Sequence, residues 1–278
     1  MKEFTLGLVQ MQIINCMTMA DKERNLKKAF EMIESAYKLD ADLVCLPEFF
    51  SVGSWLSVGK PAQLVEPFEG PTNQQLLKLS EEFGILIVPG SSPTLKEEKI
   101  YNMGAFITPK EIAGTYVRAY DRPEYYSLGS EFPIFKTKLG KIGVIICGDI
   151  FVPEIARNFS DHGVELILNP TMNAVMYYDR FMAAARSRAY ENFVFVAQVD
   201  PIGNHPAWGE MIGGSTVFNP EGLIVQKAAV KEETVLITKI HPKLKIMKID
   251  WNAGRDFYHV ALQSVISRMN FVEIDCKS

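Results

Sequence analysis

The feature that most constrains this chain is an order of elements that occurs twice. Short apolar runs of strand length alternate with stretches whose apolar residues recur at helical spacing. Residues 4–9, 42–46 and 85–88 read as strands. Between the first two, Leu26, Ala29, Phe30, Ile33 and Tyr37 form the stripe of an amphipathic helix over 21–37. Before the third, Thr72 reads as a cap for a helix carrying Leu76, Leu77 and Leu79 that ends near Gly84. The order returns with strands at 141–147, 164–168 and 193–199. Pro153 and Gly163 bound one helix there, and Tyr178, Phe181, Met182, Ala185 and Ala189 stripe another. Residues 105–108 read as one more strand, and shorter strands with Gly and Pro turns fill 109–116 and 214–224.

That arrangement predicts one α/β domain over 1–278 with mixed sheets inside and helices outside. No Ser/Gly/Pro linker interrupts it. Residues 240–278, with His241, Trp251, Phe257 and Tyr258, read as a tail whose aromatics need another surface to cover them, as in an oligomer contact.

Several function classes drop out. Hydrophobic residues are 47% and charged residues 22%, the balance of a globular protein and not of a disordered one. A net charge of −4 lacks the basic footprint of a nucleic-acid binder, and no polybasic run addresses a membrane surface. The first residues alternate apolar and polar side chains around Glu3, unlike a signal peptide, and no apolar run reaches membrane-spanning length. A cytoplasmic location is therefore expected. Cys16, Cys45, Cys147 and Cys276 are scattered without a CxxC pair, which predicts reduced thiols. The histidines His162, His205, His241 and His259 show no metal-ligand spacing, and phosphate-binding glycine loops and a GxSxG elbow are missing.

Two strand ends carry chemistry. Cys147 closes the run Lys-Ile-Gly-Val-Ile-Ile-Cys, and Gly-Asp and a helix start follow, the strand–turn–helix setting in which α/β enzymes present nucleophiles. A nearby helix start would favour the thiolate. The bland alternative is a packed, inert cysteine. Glu48 ends the run Asp-Leu-Val-Cys-Leu-Pro-Glu, where a carboxylate needs partners; its bland alternative is a structural ion pair.

Leu-Pro-Glu at 46–48, Gly-x-Tyr at 114–116 and Cys-x-Asp at 147–149 together resemble the three signatures of the nitrilase superfamily of carbon–nitrogen hydrolases. Further similar segments are Pro67-Phe-Glu-Gly-Pro71, Tyr101-Asn102, Glu191-Asn192, Gly213-Gly214-Ser215 and Asn219-Pro220-Glu221-Gly222. The resemblance implies a four-layer α-β-β-α sandwich that forms a homodimer or higher homo-oligomer, without metal or organic cofactor. It implies a Glu–Lys–Cys triad acting on amides, N-carbamoyl groups or nitriles of small molecules. Cys147 would be the nucleophile, Glu48 the general base, Glu124 the second glutamate beside the triad, and the Gly148 N–H an oxyanion donor. Trp55, Tyr125, Tyr126, Asn169, Met172, Asn173 and Trp208 fall in loops that resemble the substrate pocket.

The chain departs from that pattern at the lysine. The segment reads Gly114-Thr-Tyr116-Val-Arg118, no Lys occurs between Lys110 and Lys136, and the interval to Cys147 looks short. Arg118 keeps the charge but shares no proton and is bulkier, and Arg122 is a poorer substitute from the same loop. Two readings follow: a thiol amidohydrolase that uses Arg118 electrostatically, or a catalytically weak or inactive binding protein. A Cys–His–Glu glutaminase would need a histidine at Cys147, and His162 is expected to face away.

Overall fold

Each half of the repeated order builds its own sheet; the computed structural model describes residues 1–241. In the first half, Phe4–Gln10, Leu43–Cys45 and Leu86–Val88 lie parallel and adjacent. Thr234–Ile240 closes one side antiparallel to Phe4–Gln10, and Lys99–Ile107 extends the other, itself paired with Ser92–Lys96 and Ile112–Val117. In the second half, Gly140–Val144, Leu166–Pro170 and Phe195–Val199 run parallel. Antiparallel strands Ile134–Thr137 and Thr216–Phe218 flank them.

Helices α1 (Met19–Lys38) and α2 (Pro71–Phe83) cover the first sheet. Their Ala29, Ile33, Ala36 and Leu76 pack with Val9, Val44, Ile87 and Ile107, all buried. Each of the valine, leucine and isoleucine side chains contributes roughly 1.5–3 kcal/mol of burial. Helices α3 (Pro153–Asp161) and α4 (Tyr178–Asn192) cover the second sheet. Gly143 is required beneath α3, because a Cβ there would stand 2.7 Å from the Phe159 ring. The result is the expected α-β-β-α order.

Gln10 ties the halves together. Its buried amide donates to the Ala229 and Glu232 carbonyls at 2.6 and 2.9 Å, and its oxygen accepts from Gly214 and Ser215 N–H at 2.7 and 2.9 Å. Gly213 and Gly214 have φ of +71° and +82°, so the Gly-Gly-Ser segment is the turn that wraps this amide.

Some boundaries differ from expectation for identifiable reasons. Thr72 lies inside α2, whose cap is Gly70; its N–H and hydroxyl both donate to Glu66 at 2.9 Å. Tyr101 and Asn102 belong to the long strand Lys99–Ile107, whose polar first half hid its strand character. The strand before Cys147 ends at Val144, and a 3-10 turn, Cys147–Phe151, separates the thiol from α3. Of the expected tail, Ile240 ends a strand against Phe4 and His241 bonds Glu3 at 2.7 Å. The rest of it, with Trp251, Phe257 and Tyr258, lies outside the described residues, as do His259 and Cys276. No helix among the described residues is long and apolar enough to cross a membrane.

Candidate active site

The strand ends of both sheets meet at one point. Beyond Leu43–Cys45 the chain turns through Pro47 over Gly90, whose φ of +63° and missing side chain allow the Pro47 carbonyl to approach. Glu48 follows, buried to 1% exposure, and its N–H donates across to the Thr171 carbonyl at 3.2 Å. Thr171 comes directly after Leu166–Pro170 of the second sheet. Arg118 follows Ile112–Val117, with its N–H on the Asn102 carbonyl at 2.9 Å. Cys147 sits at φ +48°, a left-handed conformation that a non-glycine residue keeps only when its surroundings hold it. One such hold is Asn169, whose Nδ2 donates to the Ile145 and Cys147 carbonyls, both at 3.3 Å.

The Glu48 carboxylate is the hub. Its Oε1 accepts from Arg118 Nη1 at 3.0 Å and from Asn102 Nδ2 at 2.8 Å, and the carboxylate also accepts from the Cys147 thiol. Burial pushes its pKa above the ordinary glutamate value, while Arg118, Cys147 and Asn102 pull the other way. Burial, reinforced by Glu48, also pushes the Cys147 thiol well up, against the pull of Arg118 and a backbone bond from Met172. Burial thus keeps the Cys147 thiol protonated beside Glu48. The thiolate-favouring helix start is not realised, because α3 begins only at Pro153.

Arg118 is bracketed by acids: Glu48 on one side and Asp121 Oδ2 at 3.1 Å on the other. Burial opposes its charge, but Cys147, Glu48, Asp121 and Asp149 together hold it as a cation. Asp149 anchors the loop beneath it. Its Oδ1 accepts from Ala119 and Tyr120 N–H at 3.0 and 2.7 Å, and Oδ2 from Ile146 N–H at 2.9 Å. Burial pushes the Asp149 carboxyl up to about 6 despite those three bonds.

Glu48, Arg118 and Cys147 line a cavity of about 640 Å³. One wall is Phe49, Tyr126 and Trp55, with ring centroids 6.0 and 5.8 Å apart across the central tyrosine. The lining also holds His205 stacked on Trp208 at 3.9 Å, with Tyr177 edge-on to the indole at 5.9 Å. His205 Nδ1 accepts from Ala207 and Trp208 N–H, and burial lowers its pKa to about 4, so it is neutral. At the exposed end Tyr125 lies between Lys60 and Arg122, whose cationic groups are 5.8 and 5.7 Å from its ring.

The expected site residues therefore divide. Trp55, Tyr125, Met172 and Trp208 line the cavity with the three central groups. Gly148 lies against Arg118. Asn169 and Asn173 stand behind the lining: Asn169 holds the turn of Cys147, and the Asn173 backbone bonds the buried Asp200 carboxylate. Glu124 is exposed and outside the lining, because the turn closed by Tyr125 N–H on the Arg122 carbonyl directs it to solvent. His162 bonds Asn158 at the exposed end of α3, away from the thiol. Asp121, Tyr177 and His205 were missed. Asp121 had a signal in its three-residue step from Arg118; His205 had none, since only the hairpin Ile202–His205/Gly209–Ile212 brings it in.

The sequence profile of the carbon-nitrogen hydrolase family matches residues 5–245. The omega-amidase NIT2 of Xenopus tropicalis is 30% identical over 254 residues, covering 86% of this chain and 89% of that protein. A nitrilase of Pyrococcus abyssi is 30% identical over 230 residues, 79% of this chain and 84% of that protein. Among solved structures, Saccharomyces cerevisiae Nit3, a member of branch 10 of the nitrilase superfamily, superposes with a TM-score of 0.79 at 29% identity, covering 92% of this chain and 94% of Nit3. With its profile matched from the first strand through the last described strand and relatives alike over most of their length, the chain belongs to the carbon–nitrogen hydrolase family.

Proposed function

We propose that the chain hydrolyses the amide of a small carboxylic acid through a thioester on Cys147. The observation that carries this reading is the single carboxylate, Glu48, bonded at once by the thiol of Cys147 and the guanidinium of Arg118 at the bottom of a closed-in cavity. Glu48 takes the thiol proton as sulfur attacks the carbonyl carbon. Arg118 and the Gly148 N–H stabilise the negative oxygen of the tetrahedral adduct. The C–N bond breaks, Glu48 returns the proton to the leaving nitrogen, and ammonia departs. Water then attacks the thioester, Glu48 takes its proton, the acid leaves and the thiol is restored.

The cavity supports a substrate class. Glu48 and Asp121 are both engaged by Arg118, whereas Lys60 and Arg122 have no carboxylate partner among the described residues. They suit an anionic group at the far end of a substrate whose amide reaches Cys147. A terminal amide on a small acid also agrees with the omega-amidase name of the vertebrate relatives.

The alternative, a binding protein without turnover, is favoured by one observation: Nη1 of Arg118 is shared between two carboxylates, which blunts its charge toward a substrate. Intact-mass measurement during incubation with monoamides of dicarboxylic acids, N-carbamoyl amines and nitriles separates the two. Ammonia release with a transient acyl adduct that Cys147→Ala abolishes supports the amidase. Absence of both across the panel overturns it in favour of the binding protein.

A further inference from the structure

The guanidinium of Arg118 divides its donors unequally. Nε donates to the Tyr120 carbonyl at 3.2 Å, and Nη1 lies between Glu48 and Asp121. Nη2 makes no hydrogen bond among the described residues, and Arg118 lines the cavity. What Nη2 faces is Gly148, the residue after the nucleophile. A Cβ on Gly148 would stand 3.1 Å from Nη2 and 3.3 Å from Tyr120 Cδ1. Both are inside the roughly 3.5–4.0 Å of ordinary van der Waals contact. The Gly148 backbone is not in the left-handed region, so it would accept any residue. Glycine supplies space there, and the guanidinium occupies it.

We propose that Gly148 is a positioning residue: its missing side chain lets the Arg118 guanidinium lie against the turn of Cys147 with Nη2 free for the negative oxygen of the adduct, so that Arg118 and Gly148 act as one unit. A side chain at 148 would make the guanidinium or the Tyr120 ring give way, by a few tenths of an ångström for alanine and by more for a larger residue, and so shift the planar group relative to Glu48 and the thiol. A lysine at 118 has a single terminal nitrogen and no second arm to fill this space. The inference rests on the role given to Arg118 above, and it deepens that role by naming the atom and the neighbour that sets it.

The test is a double-mutant cycle on Gly148→Ala and Arg118→Lys, read by the pH dependence of Cys147 alkylation with iodoacetamide and by single-turnover acylation. With arginine present, Gly148→Ala should slow alkylation about tenfold near neutral pH and move its profile to higher pH, because a displaced cation no longer favours the thiolate. With lysine present, the same change should have an effect within about twofold. Damage to the backbone alone would slow both backgrounds alike. Equal effects in the two backgrounds, or an unmoved profile, would overturn the proposal. If Gly148→Ala does not fold, Gly148→Ala combined with Arg118→Ala decides: recovery of the fold supports the clash, and continued failure refutes it. Alkylation needs no substrate. Coupling without acylation by any amide would sink the amidase reading and leave only the seating of Arg118 by Gly148 standing, and acylation without coupling would keep the amidase and overturn that seating.

Discussion

Arg118 Nη1 stands 3.0 Å from Glu48 Oε1, with the arginine 17% and the glutamate 2% exposed. The pair joins two strands of the first sheet that are 70 residues apart in the chain. A pair this enclosed is not a stability device in itself, since removing both charges from water costs about what their attraction returns. Its consequence is chemical: it keeps a buried carboxylate next to a thiol.

Removing that arginine alone leaves Glu48 buried without its cation, which costs about 3–5 kcal/mol of stability, so its effect on chemistry is read on protein shown to be folded. Arg118→Ala should lower acylation by roughly 10²–10³, the range for losing an oxyanion donor worth about 2.7–4 kcal/mol. Arg118→Lys should restore little, because one ammonium cannot serve Glu48, Asp121 and the Tyr120 carbonyl together. Single-turnover acylation of Cys147 in the three proteins checks this. Unchanged acylation in Arg118→Ala would remove the arginine from the mechanism.

The twofold order of strand and helix was readable because its apolar periods are strong, and the two larger sheets and the four α-helices among the described residues follow it. Glu48 and Cys147 were readable because each follows within three residues of an apolar strand, where a polar group must have a purpose. What was not readable depends on where loops fold back. Glu124 sits in a turn whose direction is set by one backbone bond between Tyr125 and Arg122. Asn169 and Asn173 are near the site in sequence and in space, yet their bonding goes to the framework behind it. His205 reaches the cavity only through hairpin pairing and its stack on Trp208.

Asn102 offers a test by pH. Burial raises the Glu48 pKa, and the Asn102 bond at 2.8 Å lowers it by favouring the carboxylate. Only the carboxylate can take the thiol proton, so acylation should fall as pH drops through this raised value. Asn102→Leu removes the stabilising bond and should move that acid limb to higher pH. Activity lost near neutrality should return in part under more alkaline conditions. A limb that stays in place or moves down would contradict the assignment of Glu48 as base.

Asp149 should show its role in stability. Asp149→Ala leaves the N–H groups of Ala119, Tyr120 and Ile146 without their acceptor. Each that remains dry costs about 1–3 kcal/mol. Since the carboxyl titrates near 6 folded and at 3.8 ordinarily, the folded state holds the extra proton between those values. The wild type should thus lose part of its stability as pH rises through that window, and the variant should show a shallower slope, Asp200 keeping its own share. Denaturant unfolding at several pH values measures both effects, and a variant as stable as wild type with the same slope would refute the anchoring role.

The rim cations separate substrate choice from chemistry. Lys60 and Arg122 flank the Tyr125 ring at 5.8 and 5.7 Å and line the cavity with Cys147, yet neither touches the thiol or Glu48. If they hold the anionic end of an amide, Lys60→Ala with Arg122→Ala should raise KM for the monoamide of a dicarboxylic acid by about tenfold to a hundredfold, the equivalent of one or two charge-assisted hydrogen bonds. The kcat should change far less, since the interaction is the same in the ground and transition states. An uncharged amide of equal length should show no such change in KM, and added salt should weaken the wild type's preference for the anionic substrate. Steady-state kinetics on the matched pair of amides measures all three. Equal losses on both substrates would mean that these side chains shape the rim without reading charge.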